Sequence, residues 1–362
     1  MRKILFILLI FNVLQINAQT NVLQVGKGTL PQNYISYFLP QTEIVVEVNV
    51  KRTIQKSGRF ANFAKRLLAL NNVITSNSEK YELESVNISY NILPDTLKNF
   101  AVEINAKTTA YNLHLSPNRI IKGVNVASTS LNAQEGDRKG TPLQASPDTT
   151  LLFDYSLLSE DALMATSEAR MAEFAARQIF KIRESRMEIL SGEGIIEILS
   201  GESEKEINVS ALQVVLNELD KMEKELVALF EGKSITFTET KTFRIIPKTA
   251  MENEVIFRFS QLLGIVEKDD LAGRPITMSV LPQNDNLNLN EQEKKVKKFG
   301  IFYNVSSSAQ VAIFDGNKTL AENNLLFSQF GTLNFLPAEL FNNKNTQVIF
   351  TESGDIEFIG AY

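Results

Sequence analysis

Few residues in this chain have types and spacing that could do chemistry. Cysteine is absent and His114 is the one histidine. Thiol catalysis, disulfides and a His/Cys zinc site are therefore excluded. His114 alternates with Leu113 and Leu115 and is expected to face solvent from a strand. A serine nucleophile would need that one imidazole as its base, and neither Gly-x-Ser-x-Gly nor Ser-x-x-Lys occurs. Carboxylates leave one route open. Glu160 with Asp161 and Asp269 with Asp270 are adjacent pairs, and glycoside hydrolysis by paired acids depends on a separation of about 5 to 10 Å in space. Glu160 and Asp161 also stand where acids complement a helix N-terminus.

Other motifs are weaker still. Asn284, Asp285, Asn286, Asn288 and Asn290 offer oxygen donors without the spacing of a calcium loop. Gly26-Lys27-Gly28 and Gly192-Glu193-Gly194 lack the third glycine and the strand-to-helix setting of a phosphate cradle, so they read as turns. Arg183 and Arg186, with Glu184 and Glu188, read as ion pairs along a helix surface, with an anion grip as the alternative. Asp95-Thr96-Leu97 and Asp148-Thr149-Thr150 look like short O-glycan acceptor patterns of some exported bacterial proteins. Thr96 and Thr149 are the candidate acceptors, both expected in loops. No catalytic, cofactor-binding or metal residue is assigned, and no cofactor is expected.

The elements that must position these residues begin with an address. Arg2 and Lys3 precede an apolar run from Ile4 to Leu14, with Asn17, Ala18 and Gln19 as a cleavage neighbourhood. A secretory signal peptide over residues 1–18 is expected, too short to span a bilayer. Its removal takes two basic residues and no acid from a chain of 37 basic and 42 acidic residues, deepening a net charge of −5. That balance argues against a phosphate-backbone partner, so no nucleic acid is expected. The expected location is the periplasm or outer-membrane periphery, without a cysteine-linked lipid anchor and without a transmembrane helix in the mature chain.

Ile44, Val46, Val48 and Val50 alternate with polar residues and predict a half-buried strand. A short helix is expected within Gly58 to Leu70. Strands should follow around Tyr81 to Ile92, with a bulge or break where the phase changes between Leu83 and Val86. Further strands are expected at Phe100 to Ile104 and Tyr111 to Leu115, then a turn at Ser116-Pro117-Asn118. Glu135 to Thr150 reads as an exposed connection.

Ser159 to Gly232 predicts two helices. Ala165, Ala169, Ala172, Ala176, Ile179 and Arg183 line one stripe, widened by Phe174, Ala175, Ile182, Ile189 and Leu190. Leu212, Leu216, Leu219, Met222, Leu226, Leu229 and Phe230 line the other. Ser210 with Gln213 reads as a capping box and Gly232 as a C′ glycine. The alanine-rich stripe would let another backbone approach closely, and a homodimer through it is one expectation. Glu188 to Glu193 recurs as Glu197 to Glu202, a duplication that lengthens the loop.

Strand pattern returns after Lys233 and again after a polar stretch. The prediction is an α+β protein: β-rich N-terminal and C-terminal portions joined by a central antiparallel helical hairpin. The divisions are residues 1–18, 19–150 (β-rich with one short helix), 151–232 (hairpin), 233–281 (strands), 282–298 (polar linker) and 299–362 (a small β module).

Several residue runs add up to a resemblance. Tyr37-Phe38-Leu39-Pro40, the run Ile179 to Gly192, Leu229-Phe230-Glu231-Gly232, Phe257-Arg258-Phe259-Ser260, Gln329-Phe330-Gly331 and Leu336-Pro337 occur in the order of the domain-of-unknown-function family 4831, which the chain resembles over nearly its whole mature length. Two departures stand out: Asn118-Arg119 lacks an expected glycine, and the repeated Ile-Leu-Ser-Gly-Glu looks like an insertion. The resemblance implies an exported protein of didermal bacteria with no established activity, so no catalytic residue carries over. The expectation is a non-catalytic envelope protein that binds a partner protein or a surface glycan. The alternative is an envelope polysaccharide hydrolase working through paired carboxylates.

Overall fold

The computed structural model describes residues 22–104, 112–126, 151–191, 209–283, 300–337, 340–341 and 345–361. The signal segment, Thr149, the Asn-rich stretch and most of the repeated hexapeptide fall outside them. The protein is β-rich, and its described residues form three antiparallel sheets. The first contains β1 (Val22–Gln24), β2 (Tyr34–Lys56), β3 (Ser78–Glu103) and β6 (Lys233–Ile245), in the order β1-β3-β2-β6. The second contains β7 (Met251–Ser260), β8 (Gly264–Val266), β9 (Arg274–Pro282), β10 (Gly300–Asp315) and β11 (Lys318–Pro337), ordered β11-β10-β9-β7-β8. The third is β13-β12-β5-β4, from β4 (Leu113–Leu115), β5 (Ile121–Val124), β12 (Thr346–Phe350) and β13 (Ile356–Ala361).

The alternation read at Ile44 to Val50 belongs to a much longer strand. Its polar extension toward Lys56 keeps its ladder because β3 and β6 flank it on both sides. The expected strands between Tyr81 and Ile104 are one strand, β3, with two irregularities. One is the phase change: Asn49 faces Ser85 and Val50 faces Leu83, so Glu84 is the extra residue of a bulge. Pro40 faces Pro94 in this pairing. β6 reaches only as far as Ile44, so Pro40 costs no ladder bond on that side.

Residues 44, 46, 48 and 50 of β2 and Val86 of β3 pack on Phe257, Phe259, Ile276, Met278, Val280, Val311, Ile313 and Phe327 of the second sheet. The two sheets cross steeply. Tyr81 N–H of β3 donates to Gln261 O beside β8, whereas Ile88 O accepts from Asn323 of β11 at the opposite edge of the five-stranded sheet. A second core joins Tyr37, Leu39, Phe100 and Val102 to Ile121, Val124, Phe341, Val348 and Phe350.

The β-rich halves are not held together through the helices alone. β6 follows the helices in sequence yet pairs with β2 along its whole length, and β12 pairs with β5. Likewise β10 and β11 share a sheet with β7 to β9 and do not form a closing sheet of their own. Alternation marks a strand but carries no label for its partner.

The helices are α1 (Ala64–Leu68), α2 (Glu160–Leu163), α3 (Glu168–Ser191) and α4 (Val209–Glu231). α3 and α4 touch through side chains, with Arg183 bonded to Glu223 and Arg186 to Asp220. The residues between them, 192–208, lie outside the described set. The alanine stripe is not open to a second molecule: Ala172, Ala175 and Ala176 are buried with Phe60, Ala64, Leu226, Leu229 and Phe230. Leu190, read as part of the stripe, is 65% exposed. α4 already includes Ser210, whose side chain lies outside the described set, and Gln213 donates to Asn217 one turn on. Gly232 does end α4, at φ +88 with its N–H on Ala228 O.

Candidate functional site

The acid pairs are used locally. Glu160 and Asp161 occupy the first turn of α2, behind Ser159, whose hydroxyl accepts from Ala162 N–H. Asp270 closes a turn by accepting from Ala272 N–H. Arg183 and Arg186 are taken by Glu223 and Asp220 of α4, a cross-helix pairing and not the along-helix one expected. His114 departs from expectation: it is half-buried, and its Nε2 is buried with no hydrogen-bond partner among the described residues. It pairs with Gly123 across the β4–β5 ladder, far in sequence from any acid pair. Among the described residues no group of three or more His, Asp or Glu is placed to hold a metal ion.

Thr96 is exposed, but in a bulge of β3 and not in a loop between elements. Phe38 faces Asn99 and Leu39 faces Asp95, so Thr96, Leu97 and Lys98 have no counterpart on β2. Asp95 is buried and accepts from Leu97 N–H, which holds Thr96 at the crest with Leu97 78% exposed beside it.

A cavity of about 960 Å³ is a groove that sequence reading missed. One wall is Tyr90 and Ile92 of β3 with Asn324, Leu325 and Leu326 of β11; the other is Thr351 to Glu357 around the β12–β13 turn, with Ser306 of β10. The steep crossing of the sheets makes it. Tyr90 faces Ile44 across the ladder, on the inner side of the first sheet, but there β3 has run past the edge strand β11. A side chain whose alternation says core therefore emerges half in solvent, at 51% exposure. Leu326, from the edge itself, is 52% exposed.

The opposite wall is built from one tight turn. Thr351 N–H donates to Asp355 O and Gly354 N–H to Thr351 O, with Gly354 at φ +92 against the ring of Pro40. Asp355 accepts from Ser306 N–H at 2.6 Å and from Ser353 Oγ at 2.9 Å, so its carboxylate fastens the turn to β10. Among the described residues Glu352 and Glu357 form no ion pair and no basic side chain lines the groove. Alternation could not have found this site, because turn acids carry no period.

A second charged cluster sits at the far end of the sandwich. Arg52 of β2 bonds Glu79 at 2.7 Å and Glu239 at 2.9 Å and lies over the rings of Tyr81 and Phe237. Burial works against the Arg52 charge, but the hydrogen bonds it donates to Glu239 and Glu79 outweigh it and raise its pKa. The Tyr81 hydroxyl donates to Glu79 and, through burial and that bond, is pushed up to about 12. Tyr81 and Arg52 in turn hold the Glu79 carboxyl below its usual range. Every donor here has an acceptor, so this reads as a cross-strand brace.

The recurrent motifs are architectural. Tyr37 Oη reaches the backbone of Phe302; Gln329 reaches that of Thr42; Arg258 reaches the carbonyls of Lys268 and Gly273. Leu229 O and Glu231 O accept from Phe60 and Ile74, anchoring the helices to the loop after β2. Gly58 packs so close to that anchor that a Cβ would strike Leu229 O. No curated protein and no solved structure matches the chain. Residues 33–357, spanning all these motifs, match the family described as Domain of unknown function (DUF4831), and the chain belongs to it.

Proposed function

We propose that this chain is an exported, non-catalytic binding protein of the cell envelope, whose groove takes an extended basic segment of a partner protein. The observation that carries this is the lining: among the described residues, three carboxylates, Glu352, Asp355 and Glu357, no basic side chain, and two half-exposed apolar groups, Tyr90 and Leu326. Cationic side chains would meet the acids while apolar ones cover Tyr90 and Leu326, the combination by which charge complementarity selects a partner. The hydrophobic segment after Arg2 and Lys3 supports export. The same reading takes α3 and α4 as the arms of one antiparallel hairpin, supported by their crossed ion pairs.

The hydrolase alternative requires two acids on opposite sides of a bond. All three acids here come from the β12–β13 side, and Asp355 is already held by Ser306 and Ser353. One observation favours a surface glycan instead, the exposed ring of Tyr90, which offers a flat apolar face.

Binding of a labelled peptide alternating Lys or Arg with Val tests the reading. Glu352→Gln with Glu357→Gln should weaken binding at least about tenfold, with strong salt dependence. Absence of binding, or binding indifferent to both changes, overturns it. Capture of a neutral oligosaccharide lost on Tyr90→Ala alone would favour the glycan. Sugar release lost on Glu357→Gln would favour the hydrolase.

A further inference from the structure

The outer edge of β6 has no strand beside it among the described residues. Thirteen residues long, it is the kind of edge that proteins usually shorten, cover or load with charge of one sign. Here its sequence, Ile235-Thr-Phe-Thr-Glu-Thr-Lys-Thr-Phe-Arg-Ile245, is self-complementary when reversed about Thr240: like apolar and threonine positions coincide, Glu239 meets Lys241, and only Thr236 against Arg244 is unmatched. We propose that β6 pairs antiparallel with β6 of a second copy of this chain, on a two-fold axis through Thr240, fusing the two four-stranded sheets into one. This proposal does not rest on the groove.

The pairing follows by counting outward from the axis. Thr240 faces its own copy. Glu239 faces Lys241 of the second copy and Lys241 faces Glu239, so two ion pairs form. Thr238 faces Thr242, Phe237 faces Phe243 and Ile235 faces Ile245. Directly opposed side chains in an antiparallel pair stand about 4.5–5.5 Å apart, close enough for each of these contacts. Odd-numbered residues share the inner face: Phe243 stacks on Phe257 of the core, and Phe237 lies under Arg52. Even-numbered residues share the solvent face, where all four threonines are exposed. A two-fold axis through a residue and normal to the sheet keeps both faces continuous.

Other registers lose this match. Centring on Glu239 sets Glu239 against itself and Phe237 against Lys241; centring on Lys241 sets two ammonium groups together and Glu239 against Phe243. Slipping by one residue turns the inner face of one copy to the outer face of the other. The register at Thr240 thus joins opposite charges and like apolar groups at once, which a strand selected only to avoid association would not do. Phe237, Phe243, Ile235 and Ile245 are half-buried and would lose their remaining exposure.

The absence of cysteine makes the register directly readable. Single variants Thr238→Cys, Thr240→Cys and Thr242→Cys change exposed side chains only. Under mild oxidation of the full-length protein, Thr240→Cys should cross-link at least about tenfold faster than the other two alone, because only residue 240 faces itself at disulfide distance. An equimolar mixture of Thr238→Cys and Thr242→Cys chains should cross-link as a heterodimer. By sedimentation, Lys241→Glu, which opposes two pairs of like charges, should raise the dissociation constant at least about tenfold. A wild-type chain that stays monomeric up to about 100 μM, a Kd range of weak association, overturns the proposal. So do equal cross-linking rates at all three threonines.

Discussion

The hydroxyl of Tyr37 stands in for a strand partner of Phe302: it accepts from Phe302 N–H at 2.8 Å and donates to Phe302 O at 3.0 Å. Two backbone groups of β10, whose own ladder does not reach β2, are thereby satisfied by one side chain from residues 265 positions earlier. Tyr37 is fully buried, its ring stacked on Phe100, which in turn stacks on Phe302. Tyr37→Phe keeps the ring and leaves both Phe302 groups unpaired. The expected loss is about 2–6 kcal/mol, at roughly 1–3 for each of the two buried groups left unsatisfied. Urea unfolding with an unchanged slope would measure it.

Gln329 performs the same service between the first two sheets. One residue of β10, Ser306, faces four of β11, Ser328 to Gly331, so the chain buckles outward there. The buckle carries the Gln329 amide to Thr42 N–H, Thr42 O and Pro247 O. Gln329→Glu keeps the shape but turns the donor into a charged acceptor facing two carbonyls. It should destabilise more than Gln329→Ala, for which about 2–3 kcal/mol is expected. Thermal melts of the two variants side by side would show the order.

The Arg52 brace gives the stability curve two limbs. Tyr81 is raised to about 12 from an ordinary value of about 10. A raised folded pKa favours the fold below the unfolded value, so its contribution is complete below pH about 10 and fades as pH climbs through 12. Glu79 is depressed, so its contribution is present above its unfolded pKa and is lost as acid takes pH down through its folded one. Tyr81→Phe should flatten the alkaline limb and Glu79→Gln the acid limb, read by denaturation midpoints across pH. The Tyr37 hydroxyl is also raised by burial, beyond what its bond to Phe302 offsets, so some alkaline loss persists in Tyr81→Phe.

The period-two run at Ile44 to Val50 and the three-four spacing at Leu212 to Phe230 made β2 and α4 legible, because burial on one face stamps its period on the sequence. β6 was half legible. Ile235, Phe237, Phe243 and Ile245 alternate, but Glu239, Thr240 and Lys241 are exposed, so the run looked like two short strands. The ladder supplied by β2 carries the backbone through this polar middle. Tyr90 lies on the inner face, opposite Ile44; its exposure depends on where β11 ends, a property of the crossing and not of any local spacing. The acids of the Thr351–Asp355 turn had no pattern to betray them.

Arg119 bears on the glycine missing from its turn. It sits at φ +61, in the left-handed region, while its N–H and O bond Ser116 and Phe38. A side chain there costs about 1–2 kcal/mol, against about 0.5–1 of extra chain freedom that glycine would lose on folding. Arg119→Gly should therefore raise stability by up to about 1 kcal/mol, whereas Arg119→Val should lower it. Calorimetric Tm values would separate the two.

The alanine face of α3 has no room to spare. Ala172 and Ala175 are fully buried against the loop after β2 and against α4. Ala172→Leu should cost about 1–3 kcal/mol through overpacking. The same change at exposed Glu173's neighbour Arg177, Arg177→Leu, should leave Tm nearly unchanged.

The pairing of β6 with β2 sets a clock on maturation. Glu43 and Arg244 are bonded across 201 residues of chain, so β2 can zip to β3 early but must wait for its other neighbour until two-thirds of the polypeptide is available. Such distant closure is slow, because the loop must be gathered before any contact rewards it. During that interval a long strand with an apolar face stands with one edge unpaired, the state in which chains clump.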